Sequence, residues 1–190
     1  MNTDMKDLDR PAAREYVGDA VRAIPLTALK VLVVDDQPQM RQLIRNSLER
    51  MGIDDVVAAG SAREALRWMR GGAAVDLVLC DYYLGMDADG QQLLDAARSA
   101  NLLSPATPWV FISASSIRSD VMTAGDSAPD AYIVKPFSDQ ALKSCIQSVC
   151  ARKSALAPLL AAVHSKDWEA VLAVADTYAV RTDALCVEGI

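Results

Sequence analysis

Five short apolar runs punctuate the chain, and four of them stop on a polar residue. Val31-Leu32-Val33-Val34 runs into Asp35-Asp36, and Leu77-Val78-Leu79-Cys80, entered from Asp76, ends on Asp81. Pro108-Trp109-Val110-Phe111-Ile112 ends on Ser113, and Ala131-Tyr132-Ile133-Val134 runs into Lys135-Pro136; the shorter Val56–Ala59 run completes the set. Runs of this length without polar alternation predict strands covered on both faces, as in a parallel sheet. Between them the apolar residues recur every three or four positions, the spacing of helices that present one stripe to a core. The segment 38–51 carries Met40, Leu43, Ile44, Ser47, Leu48 and Met51 on one stripe and closes at Gly52. Ser61 followed by Glu64 predicts a capping box for a second helix that ends at Gly71-Gly72. Further helices are expected near 90–100, near 117–124 and, capped by Ser138, over about 138–152.

Strand and helix thus alternate five times, and every crossover is long enough to hold a helix. This predicts an α/β domain with a doubly wound parallel sheet and helices on both faces. In such a sheet all strands end on the same edge, where ligand crevices form. Asp35-Asp36, Asp81, Ser113 and Lys135 therefore converge, although about 100 positions separate the first from the last.

The ends of the chain lie outside these five units. Residues 1–28 are read as an extension with one amphipathic helix, started by Asp9 and Pro11, striped by Ala13, Tyr16, Val17, Ala20, Val21 and Ile24, and ended by Pro25. Residues 153–190 are read as a helical tail. Ser154 is expected to cap a helix through Val163, Ser165-Lys166-Asp167 to form a polar turn, and Trp168–Val180 to form a second helix. The tail weakly resembles one tetratricopeptide-type hairpin, without that repeat's W-x-x-L-G-x-x-Y signature. A third helix would begin near Thr182 and meet the chain's end at Ile190, so the expectation is a truncated helical region or a tail that packs on a second copy.

Charge narrows the function classes. With 25 acidic against 19 basic residues the net charge is −6, which argues against nucleic-acid binding through clustered Lys and Arg. No apolar run has the length of a membrane span, and the polar first residues lack a signal-peptide core. The four cysteines form no C-x-x-C pair, as expected for reduced thiols in a cytoplasmic protein. His164 is the single histidine, which counts against a histidine metal site or a Ser-His-Asp triad.

The converging residues suit one task. Asp35, Asp36 and Asp81 make an all-oxygen cluster of the kind that holds Mg2+. With the ion in place, Asp81 can act as a carboxylate nucleophile toward a phosphoryl group. Lys135 can pair with a phosphoryl oxygen, or with Asp81 before modification, and Ser113 can bond another oxygen.

The stretches Val33-Val34-Asp35-Asp36, Leu79-Cys80-Asp81, Ile112-Ser113-Ala114 and Val134-Lys135-Pro136-Phe137 resemble the receiver domain of bacterial two-component response regulators, over about residues 29–152. The resemblance implies a flavodoxin-like fold with strand order 2-1-3-4-5. It implies Asp81 as phosphoacceptor from a histidine kinase or phosphotransfer protein, and Asp35, Asp36 and the Tyr83 backbone carbonyl around Mg2+. Lys135 would pair with the phosphate, with Ser113 and Tyr132 as switch residues that change protein–protein contacts downstream. Self-association through the terminal helices is a further expectation.

Two departures stand out. The loop Tyr82–Gly90 lacks the family's usual proline and is longer by one residue, and the segment from Gly125 to Asp130 is extended. A bulky Tyr83 beside the metal loop would shield an acyl phosphate from water, giving slow autodephosphorylation. Two rival readings stay open. An aspartyl-phosphate phosphatase on a similar sheet would carry a second Asp two residues after its nucleophile, where this chain has Tyr83. A receiver-like interaction domain would keep the pocket without being phosphorylated.

Overall fold

Each apolar run forms a strand. The computed structural model describes residues 25–72, 74–85, 88–114 and 128–174. The helices expected over 11–24, near 117–124 and near Thr182 lie outside the described residues. The elements are β1 (Val31–Val34), α1 (Pro38–Arg50), β2 (Val56–Ala59), α2 (Ala62–Arg70), β3 (Leu77–Asp81), α3 (Gly90–Ser99), β4 (Trp109–Ser113), β5 (Ala131–Val134) and α4 (Asp139–His164). All strand pairs are parallel and their order is β2-β1-β3-β4-β5, the order implied by the resemblance.

The unbroken apolar runs are explained by a covered sheet. Every residue of β1, β3 and β4 is buried. Successive side chains point to opposite faces. Val31, Val33, Leu77, Leu79, Val110 and Ile112 meet Ile44 and Leu48 of α1 and Leu142, Ile146 and Val149 of α4. Leu32, Val34, Val78, Cys80, Trp109 and Phe111 meet Ala65 and Met69 of α2 and Leu93, Leu94 and Ala97 of α3. Two cores thus share one sheet, α1 and α4 on one face and α2 and α3 on the other. Burying each such large aliphatic side chain is worth about 1.5–3 kcal/mol, which is why the polar residues are displaced to the strand ends.

Local signals explain most boundaries. Gly52 takes φ +80 after α1, a left-handed turn that favours glycine. The Ser61 hydroxyl accepts from the Glu64 amide at 3.2 Å. The return arm of that cap differs from expectation, because Glu64 Oε2 accepts from the Gly60 amide at 2.6 Å. The reciprocal box occurs at α3 instead, between Asp89 and Gln92. Leu43 is 47% exposed, so the α1 stripe is narrower than its sequence spacing predicts.

The tail departs from expectation. Ser154 does not start a helix: α4 continues unbroken from Asp139 to His164 with Pro158 inside it, so the expected boundary at 152–153 falls within one helix. The stretch Ala151–Ala157 contains no glycine and is rich in strong helix formers. Tertiary bonds also hold it. Arg152 Nη2 donates to the Asp130 carbonyl at 2.5 Å and Lys153 Nζ to the Pro105 carbonyl at 3.0 Å, while Lys153 pairs with Asp130 Oδ1 at 3.1 Å. The polar turn at 165–167 forms as expected, with Lys166 at φ 58. The Asp167 carboxylate caps the next helix by accepting from the Ala170 amide at 3.0 Å.

Candidate functional site

The site forms where the strand order reverses. β1 and β3 are neighbours with Val34 opposite Cys80, so Asp35 and Asp81 leave the sheet side by side. Asp35, Asp36 and Asp81 can each present one carboxylate oxygen such that all three lie within 4.8 Å of one another. Oxygens bound to one Mg2+ at about 2.1 Å lie no more than about 4.2 Å apart, so a small side-chain adjustment suffices, and the donor set fits the ion. The Tyr83 carbonyl is the fourth expected ligand atom. In that loop the Tyr83 amide donates to Asp81 Oδ1 at 3.1 Å.

Lys135 closes the site from the far side of the sheet. It follows β5, two strands from β3 and three from β1, yet its Nζ lies 2.7 Å from Asp81 Oδ2 and 2.9 Å from Asp35 Oδ2. Its backbone amide donates to the Ser113 carbonyl at 2.7 Å, which ties the phosphate-pairing candidate to the switch candidate. Burial opposes the Lys135 ammonium, but the Asp81 and Asp35 carboxylates outweigh it and hold its pKa above the usual lysine value. Burial lifts the Asp35 carboxyl above its ordinary value, against the pull of Lys135 and the Gln37 amide. One cation thus serves two carboxylates, and Asp35 itself is fully buried.

The structure brings together Asp35, Asp36, Asp81 and Lys135 directly. Ser113 lies at the end of β4, 2% exposed, and Tyr132 sits on β5 opposite Phe111. The Tyr132 ring packs on Phe111 at 5.7 Å between centroids, and Phe111 packs on Tyr82 at 5.4 Å. The Tyr83 ring stands edge-on to Tyr82 at 5.1 Å and the residue is 60% exposed. An aromatic row therefore runs from the loop after Asp81 to the switch candidate on β5. Residues 115–127, which include the first half of the extended segment Gly125–Asp130 before β5, lie outside the described residues.

Gly90 belongs to the site although the sequence marks it only as a loop end. A Cβ there would sit 2.5 Å from the Asp81 carbonyl oxygen, 2.8 Å from Phe111 Cε1 and 3.2 Å from Cys80 Sγ. The first turn of α3 thus lies directly against the backbone of Asp81. Gly90→Ala is expected to destabilise the fold by about 2–3 kcal/mol in urea melts, the upper part of the range for overpacking against groups that cannot yield. It should also displace Asp81, whose carbonyl oxygen the added methyl would meet. No residue-type signal marks this glycine, because its φ is ordinary and only its neighbours demand it.

Known proteins resemble this chain over the same region. The family described as the response regulator receiver domain matches residues 31–147, more than half of the chain. Chemotaxis protein CheY1 of Helicobacter pylori is 32% identical over 121 residues, which cover 64% of this chain and 96% of that protein. The CheY homolog of Campylobacter jejuni is 31% identical over 64% of this chain and 92% of its own length. Among solved structures, chemotaxis response regulator CheY4 of Vibrio cholerae superposes with a TM-score of 0.56 at 26% identity, covering 64% of this chain and 98% of that one. The N-terminal domain of a response regulator/sensory box/GGDEF protein from Carboxydothermus hydrogenoformans gives 0.58 at 26% identity, over 66% and 96% of the two chains. On these matches and on the strand order they share, the chain belongs to the response regulator receiver domain family.

Proposed function

We propose that this chain is a phosphorylation-controlled signalling module in which Asp81 accepts a phosphoryl group from a histidine kinase or phosphotransfer protein. The observation that carries this reading is the Lys135 ammonium held between Asp81 and Asp35 at 2.7 and 2.9 Å. A bond forms from an Asp81 carboxylate oxygen to phosphorus as the bond to the donor's leaving atom breaks, and that atom keeps the electron pair. The dianionic product is then met by a cation already in place. Mg2+ held by Asp35, Asp36, Asp81 and the Tyr83 carbonyl would supply charge screening of the phosphoryl oxygens. Self-catalysed transfer of this kind needs positioning and neutralisation, not an added base.

Ser113 and Tyr132 are the switch pair in this reading. A phosphoryl oxygen draws the Ser113 hydroxyl toward it, and the Tyr132 ring moves into the space released along Phe111. Output is a change in protein–protein contact, and the surface beyond the sheet supplies candidates: Val163, Trp168 and Leu172 are large apolar residues exposed on the tail. Among the described residues no helix is long and apolar enough to cross a membrane.

Incubation with acetyl phosphate and Mg2+, read by intact mass, tests the proposal. A single phosphoryl adduct that disappears with EDTA is the expected result. Turnover of an added phosphomonoester would indicate the phosphatase alternative, and no adduct, where another receiver is labelled, would indicate a phosphorylation-independent domain. The adduct's lifetime tests the shielding role of Tyr83. Tyr83→Asn is expected to shorten it, and an unchanged lifetime would assign the exposed ring to contact with partners instead.

A further inference from the structure

We infer that Arg41 is a positioning residue for the cation-binding end of the site, an assignment that rests on the phosphoacceptor reading above. Every polar group of Asp35 is engaged. Its amide donates to the Ala59 carbonyl at 3.2 Å, and its Oδ1 accepts from the Gln37 amide at 2.9 Å. Its Oδ2 accepts from Lys135 at 2.9 Å, and its carbonyl oxygen accepts from Arg41 Nη1 at 2.7 Å. The last bond is the one with consequences beyond Asp35. That carbonyl belongs to the planar peptide unit that also carries the nitrogen and Cα of Asp36. Fixing the oxygen therefore fixes where Asp36 begins.

Asp36 depends on this anchor. It is exposed, and among the described residues its carboxylate has no bonded partner to hold it. Its neighbour in the metal loop is Gly85, whose hypothetical Cβ would lie 3.5 Å from Asp36 Oδ2. Asp35 by contrast is oriented by two donors on its carboxylate. The guanidinium is itself well placed for the task. It reaches from the first turn of α1 past the exit of β2, where Gly60 leaves room: a Cβ at Gly60 would lie 3.3 Å from Arg41 Nη1. Glu64 Oε2 accepts from the Gly60 amide at 2.6 Å, so the wall against which Arg41 rests is held in turn. Groups that orient metal ligands without touching the metal commonly change affinity by about 10- to 100-fold when removed.

The experiment measures Mg2+ affinity on the full chain by calorimetry, together with the rise in unfolding temperature that Mg2+ produces. Arg41→Met is expected to weaken Mg2+ binding by about 10- to 100-fold and to shrink the Mg2+-induced rise. Arg41→Gln, whose amide falls short of the Asp35 carbonyl, should do the same and serves if Arg41→Met does not fold. Arg41→Lys, which keeps a cationic donor of similar reach, should recover most of the affinity. Gln42→Ala, which removes only an exposed bond to Asn46, should match the wild type. Wild-type affinity in both Arg41→Met and Arg41→Gln overturns the inference alone, as does a lower unfolding temperature with an undiminished Mg2+ increment, which would mark Arg41 as merely structural. Absence of Mg2+ binding in the unsubstituted chain overturns the inference and the phosphoacceptor reading together.

Discussion

Asp81→Asn is expected to reduce phosphoryl incorporation from acetyl phosphate to background, read as the loss of the adduct in intact mass. A carboxamide is no substitute for the carboxylate nucleophile, and two neighbouring groups are poorly placed to replace it. Asp35 is fully buried with both carboxylate oxygens engaged, and Ser113 has no histidine at hand to activate it, the single histidine lying at the C-terminal end of α4. The fold should survive. Lys135 retains Asp35 at 2.9 Å. The new amide, however, has one oxygen to offer where the Tyr83 amide and the Lys135 ammonium both donate to Asp81 today. One of those bonds is lost, so a stability decrease of about 1 kcal/mol is expected. Retained incorporation in Asp81→Asn would place the acceptor elsewhere and undo the proposed function.

Lys135→Met should produce the largest loss of stability of any substitution at the site. It leaves Asp35, with no exposed surface, and Asp81, 6% exposed, as neighbouring negative charges with no cation between them. Removing one member of a buried ionic group costs about 3–5 kcal/mol, and the 13% exposure of the Lys135 side chain places this case toward the lower end. The loss should depend on conditions in two ways. Mg2+ supplies the missing positive charge, so it should stabilise Lys135→Met more than the wild type, following the differential affinity of the ion for the folded state. The pH dependence has a definite sign. The Asp35 carboxyl already stands above its ordinary value of 3.8 because of burial, and removal of Lys135 raises it further. A carboxyl whose folded pKa is raised loses stability as pH climbs through that value. The deficit of Lys135→Met should therefore be smallest below 3.8 and grow toward neutrality. Equal urea midpoints for the two proteins at neutral pH without Mg2+ would show that the Lys135 bridge carries no weight in the fold.

Much of this site is legible in the amino-acid sequence because its defining residues end strands. A buried strand must be apolar on both faces, so the first polar residue after such a run marks where the chain leaves the sheet. Parallel crossovers then force all those exits onto one edge. Asp35, Asp36, Asp81, Ser113 and Lys135 can be placed together on that basis, and their residue types name the chemistry. Ser61 and Ser138 are likewise readable as helix starts, because a cap is made within four residues of chain.

What escapes the sequence depends on contacts between distant segments. Arg41 donates to a backbone carbonyl, an acceptor that every residue has, so nothing in the sequence singles out that partner. Gly90 is required by the Asp81 carbonyl and the Phe111 ring, not by its own torsion angles. Helix α4 runs through Ser154 because Arg152 and Lys153 find Asp130 and Pro105 on other loops, whereas Ser154 by itself reads as a cap. The sequence alone determined the five strands and the edge on which their polar ends gather, since burial pattern and strand period are local properties. Only the tertiary structure decided that one ammonium bridges Asp35 and Asp81, that Arg41 braces the peptide leading to Asp36, and that α4 runs on through Ser154, since each follows from atoms brought within about 3 Å only by packing.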